Sequence, residues 1–89
     1  MNSRRTRRFR DALAALPPNV RKQAAAAYQR FRADPYHPSL HFKKVHPNLP
    51  IYSARISLAY RAVGIREQDV MIWFWIGVHP DYEKLIAQL

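Results

Sequence analysis

The sequence predicts an α+β fold: two N-terminal helices packed on a small antiparallel sheet of three to four strands, closed by a short C-terminal helix. Three observations carry that expectation. Apolar residues recur at helical spacing in the first third of the chain. Proline crowds the middle segment. Short runs of β-branched and aromatic residues follow, so helices and strands are segregated along the chain. The 89 residues suffice for one small domain, 1–89, with a modest core.

Met1 to Arg5 is polar and basic, suited to a frayed tail or a short edge strand. Thr6 suits a helix N-cap, and Phe9, Leu13 and Leu16 follow it at i, i+4, i+7. Pro17 and Pro18 end that helix and fit the first turn of the next. "NVRKQAAAAYQRFRAD" then has high helix propensity, with Val20, Ala24, Ala27, Tyr28 and Phe31 on one stripe. The short "LPP" link predicts an antiparallel helical hairpin.

Asp34 to Pro50 holds four of the seven prolines, which exclude a helix or a central strand. It reads as a long ordered loop anchored by Leu40 and Phe42. Ile51–Ile56 and Tyr60–Ile65 read as strands around a turn at Ser57-Leu58-Ala59, and Arg66–Asp69 as a polar turn. Val70–Ile76 is apolar on both faces, the pattern of a covered central strand. Gly77 ends it. Pro80, Leu85 and Leu89 suggest the closing helix.

Fifteen Lys and Arg against six Asp and Glu give a net charge of +9, an excess suited to polyanions, nucleic acid first among them, or to an acidic protein. No cysteine is present, which excludes disulfides and thiolate metal sites and fits a reducing cytoplasm. No run approaches the ~18 apolar residues of a membrane helix, and no signal-peptide segment follows the basic N-terminus.

The two strands of "YSARISLAYRAVGI" each carry one arginine, Arg55 and Arg61. Like charges directly across a ladder are destabilising. With the turn centred on Leu58 the two share a face and make a fork for phosphate; shifted by one residue, they split between faces. The plain alternative is two solvated surface arginines. Lys43 and Lys44 precede the first strand. His79 stands at the start of the last helix, followed by Tyr82 and Lys84. Histidine transfers protons near neutrality. Cleaving RNA through its 2′-hydroxyl needs a base, an acid and positive charge on the phosphorane. A helix-capping role for His79 and a packing role for Tyr82 are the ordinary alternatives. His37, His41 and His46 lie in a proline-rich segment without a third acidic ligand, so no metal site is expected. Trp73 and Trp75, two apart on a strand, share a face on this reading, as core or as a stacking surface for bases.

The motifs "LPPNVRKQAAAAYQRF", "DPYHPSLHFKKV", "IYSARISLAYRAV" and "MIWFWIGVHPDYEKLI" occur in this order. The chain thereby resembles the RelE/ParE superfamily of bacterial toxins over about residues 9 to 89. The resemblance implies a first strand ahead of the helices, which only Asn2 to Arg5 can supply. RelE-type members are cytoplasmic, ribosome-dependent endoribonucleases that cut mRNA in the decoding site of the small subunit, without metal or small-molecule cofactor. By position, Arg55 matches a basic strand residue of that branch and Arg61 the arginine of the following strand. His79 matches a basic residue or histidine after the last strand. Tyr82 is a looser match to the C-terminal tyrosine, since it comes earlier after the strand. The resemblance makes these four the catalytic candidates, and Lys43, Lys44 and Lys84 the RNA- and phosphate-binding ones. It also implies a cognate acidic antitoxin that docks on the N-terminal helices. Two other functions share the fold: a ParE-type inhibitor of DNA gyrase, and an inactive member that binds RNA or antitoxin without chemistry.

Overall fold

Thr6 starts the helical layer as the sequence requires. Its Oγ1 accepts the Phe9 N–H at 3.1 Å, capping α1 (Arg7–Ala14). The prolines separate α1 from α2 (Pro18–Ala33), whose buried stripe is Val20, Ala24, Ala27 and Phe31. These elements come from a computed structural model that describes all 89 residues.

The sheet has five strands, more than the three to four expected: β1 (Asn2–Arg5), β2 (Lys43–Lys44), β3 (Ile51–Arg55), β4 (Tyr60–Glu67) and β5 (Val70–Val78). Their spatial order is β1-β5-β4-β3-β2, and α3 (His79–Gln88) closes the chain. All neighbours are antiparallel except β1, which runs parallel to β5, so the sheet is mixed. The Asn2 N–H donates to the Asp69 carbonyl and the Thr6 N–H to that of Trp73, both at 3.0 Å, fixing the first strand on the edge of β5. Three of its four side chains are exposed and two of those, Arg4 and Arg5, are charged, which is how edge strands avoid further pairing. The other addition, β2, is a two-residue pairing inside the proline-rich loop.

The helix-side face of the sheet carries the larger part of the core, while Ile51 and Val63 are buried on the other face. Ala54, Ala62, Met71, Trp73 and Ile76 pack against Phe9, Ala24, Ala27 and Phe31, with Leu40 and Phe42 anchoring the loop as expected. Phe31 meets Phe42 and Trp73 edge-on, at ring separations of 5.1 and 5.3 Å. Between α1, α2 and the sheet lies an apolar cavity of about 400 Å³, lined by Phe9, Leu13, Ala24, Ile56 and others, with Arg5, Arg10 and Arg21 at its wall.

The two tryptophans do not share a face. Val63 registers with Trp75 and Gly64 with Trp73, which leaves Phe74 as the extra residue of a β-bulge. The bulge reverses the alternation of β5: Trp73 enters the core under the helices, and Trp75 turns to the opposite face. Gly64 is what lets the strands approach there, since a Cβ would lie 2.7 Å from the Ile72 carbonyl oxygen. No helix is long and apolar enough to cross a membrane.

Candidate functional site

The face away from α1 and α2 presents the ladder rows Ile51–Ile65, Ser53–Val63 and Arg55–Arg61. The turn is centred on Leu58, so Arg55 stands directly opposite Arg61 and both point to this face. Their guanidiniums are not equivalent. Arg61 Nη1 donates to the carbonyls of Ser57 at 2.7 Å, Tyr60 at 3.0 Å and Leu58 at 3.4 Å. Arg61 thus closes a turn that has neither glycine nor asparagine to hold it. Arg55 enters no ion pair; the chain's single ion pair is His79–Glu83.

The row continues across β4. Arg61 registers with Gly77 on β5, two residues before His79. The His79 N–H donates to the Ala59 carbonyl at 2.8 Å, which docks the start of α3 on the same turn. The imidazole Nε2 lies 3.0 Å from Glu83 Oε1, one helical turn on, while Nδ1 is buried without a partner. The rings of His79 and Tyr82 are 5.6 Å apart. Tyr82 donates its hydroxyl to Ser53 Oγ at 3.3 Å, two residues from Arg55 on β3. Arg55, Arg61, His79 and Tyr82 therefore gather at one end of the β3–β4 hairpin, under the start of α3.

The three lysines are dispersed. Lys43 registers with Ser53 and lies on the row that faces Tyr82; Lys44 registers with Tyr52 and points to the opposite face. Lys84 lines a groove between α3 and β5, beside Trp75. Strand alternation separates the lysine pair, a consequence hidden while their segment reads as loop. Two residues absent from the sequence expectation join the site. Glu83 is visible in the sequence as an i+4 partner of His79. Ser53, the buried polar residue at 2% exposure, gives no sequence signal that it would meet Tyr82.

Two of the other histidines have local duties. His37 Nδ1 accepts the Ser39 N–H at 3.2 Å. His46 Nδ1 accepts the N–H groups of Asn48 and Leu49 at 3.1 and 2.9 Å, which places its proton on Nε2, 2.9 Å from the Leu89 backbone oxygen. No three His, Asp or Glu side chains come together in a way that could hold a metal ion. Arg66 lies on the helix-side face, over the Tyr52 ring at 5.5 Å. Its hydrogen bond to Tyr36 holds its pKa above the ordinary arginine value.

A paired arginine row with a free guanidinium suits one phosphodiester, and imidazole and phenol groups beside it suit proton transfer. Comparison with curated proteins finds no match. Among solved structures, the chain is similar to a protein in the RelB–RelE antitoxin–toxin complex of Methanococcus jannaschii. Identity is 16%, the TM-score is 0.72, and the match covers 91% of this chain and 95% of that one. It is also similar to a copper-bound mutant toxin from Helicobacter pylori, with 14% identity, a TM-score of 0.59, and coverage of 91% and 97%. At these identities the likeness concerns the fold. A family model described as a ParE-like toxin domain matches residues 18–84. The chain therefore belongs to the ParE-like toxin domain family of the RelE/ParE superfamily.

Proposed function

We propose that this protein is the toxin of a toxin–antitoxin pair and acts as a metal-independent, ribosome-dependent endoribonuclease on mRNA. The observation that carries the reading is the Arg55–Arg61 row set against His79 and Tyr82 at the start of α3. In the reaction the 2′-hydroxyl loses its proton to a base and its oxygen attacks the adjacent phosphorus. The bond to the 5′-oxygen breaks, that oxygen takes a proton from an acid, and a 2′,3′-cyclic phosphate remains. Arg55 supplies bidentate donors to the equatorial oxygens as charge builds. Arg61 adds its charge from a fixed position. His79, held by Glu83, and Tyr82 are the proton-transfer pair. Lys43 holds a flanking phosphate, and Lys84 meets the same RNA strand from the groove beside Trp75; Lys44, on the other face, would contact ribosomal RNA rather than the cleaved strand.

The partner of this reading is an acidic antitoxin. Its docking place is the apolar cavity between α1, α2 and the sheet, where Arg5, Arg10 and Arg21 offer charges to an acidic amphipathic segment. The similar M. jannaschii protein was solved in an antitoxin–toxin complex.

The ParE-like family match favours a second reading, a gyrase inhibitor that does no chemistry on RNA. Primer extension on a defined mRNA, with purified protein and with or without programmed ribosomes, separates the two. Cuts that need ribosomes support the nuclease. Intact mRNA together with blocked supercoiling supports the inhibitor, and neither activity leaves an inactive binding member.

A further inference from the structure

The groove between β5 and α3 is a second concavity on the arginine face, about 390 Å³ in volume, lined by Trp75, Gly77, Asp81, Lys84, Leu85 and Gln88. The Trp75 indole lies across Gly77: a Cβ there would stand 2.7 Å from the ring. Gly77 is the cross-strand neighbour of Arg61, and Arg61 of Arg55. The ladder row that starts with Arg55 and Arg61 thus ends at Gly77, under an aromatic ring. Adjacent strands are about 4.8 Å apart, so the residue under the ring lies one strand spacing from the Arg61 backbone, close enough for one nucleotide to span the arginine row and the groove.

The opposite wall is α3. Asp81, Lys84 and Gln88 follow at i, i+3 and i+7, so they share one helix face above the ring. An ionised aspartate only accepts hydrogen bonds, and a lysine ammonium only donates them. A base edge with two adjacent donors and one acceptor satisfies both, and among the four bases guanine has that edge: N1–H, the N2 amino group and O6. Asp81 also suits the positive end of α3, a role that asks nothing of Lys84 or Trp75.

We infer that this groove is a guanine-binding subsite. The base stacks on Trp75, its N1–H and N2 amino group donate to Asp81, and Lys84 donates to its O6. The inference rests on the nuclease reading only in placing the nucleotide's phosphate on Arg55 and Arg61.

Fluorescence titration of the intact protein with guanosine, adenosine, cytidine and uridine 5′-monophosphates tests it. Trp73 is buried in the core at 4% exposure, so quenching by a stacked base reports Trp75. The guanosine nucleotide should quench at a concentration at least tenfold lower than the other three. Trp75→Phe should abolish the quenching, and Asp81→Asn should bring guanosine and adenosine nucleotides to the same midpoint with the circular dichroism unchanged. Equal midpoints for all four nucleotides in the unaltered protein, or quenching that survives Trp75→Phe, would overturn it. Guanosine-selective quenching in a protein that cuts no RNA keeps the subsite and removes the nuclease reading. Cleavage without selective quenching does the reverse.

Discussion

The hydroxyl of Tyr82 reaches Ser53 Oγ, 3.3 Å away, and is the side-chain hydrogen bond that joins α3 to the sheet. A residue proposed for proton transfer is thus also a fastening, and the two roles separate by mutation.

Tyr82→Phe and Ser53→Ala each remove this bond. Both should lower stability by a similar amount, about 1 kcal/mol, read from urea midpoints. Their activities should diverge. Tyr82→Phe should reduce ribosome-dependent cleavage by about 10²-fold or more, and Ser53→Ala by only a few-fold. Equal losses would leave Tyr82 with the fastening role alone.

Arg55→Ala and Arg61→Ala should both abolish cleavage, yet differ in stability. Arg61 closes the Ser57–Tyr60 turn through its carbonyls, so its loss should cost about 1 kcal/mol and loosen the hairpin. Arg55 closes nothing, and its removal should leave the denaturation midpoint unchanged. Arg55→Ala is therefore the cleaner probe of the site. A folded Arg55→Ala variant with full activity would remove the phosphate clamp from the mechanism.

Glycine replacement should distinguish a rigid obstacle from a movable one. At Gly64 an added methyl meets the Ile72 carbonyl oxygen at 2.7 Å, so Gly64→Ala should destabilise by about 1–3 kcal/mol. At Gly77 it meets the Trp75 ring, which can shift. Gly77→Ala should cost less and should change the tryptophan emission spectrum. Thermal melts with fluorescence detection measure both.

His46→Ala should free two backbone N–H groups, those of Asn48 and Leu49, and release the end of α3 at Leu89. Hydrogen exchange should accelerate in residues 46–49 and the last turn of α3, while β4 and β5 stay protected. Unchanged exchange in both segments would show that His46 holds neither.

Local signals in the amino-acid sequence account for much of this architecture. Thr6, the Pro17-Pro18 pair and the apolar stripe of α2 set the helices because caps, prolines and 3.6-residue spacing act locally. The facing of Arg55 and Arg61 follows once the turn is placed at Leu58. What escapes such reading depends on partners distant in the chain. The edge strand Asn2–Arg5 has no apolar pattern of its own and exists because β5 offers it hydrogen bonds. The bulge at Phe74 has no sequence signature inside an unbroken apolar run, so the side taken by Trp75 is not legible there. The two-residue pairing of Lys43–Lys44 lies below the length at which alternation shows. Within the site, the Arg55–Arg61 pairing is one of two registers that the sequence leaves open, since no glycine or asparagine pins the turn, and the contact of Tyr82 with Ser53 is not legible at all, because nothing in the sequence sets where α3 crosses the sheet.

The pairing of Asn2 with Val70 joins a first strand and a last one with the rest of the fold between them. During synthesis the first strand has no neighbour until the last has left the ribosome, and contacts that far apart form late. Gly77, where the arginine row ends, and His79 belong to that same final stretch. The Gly77 end of the arginine row and the start of α3 therefore form among the late contacts of folding, after the β3–β4 hairpin has closed on its own short turn.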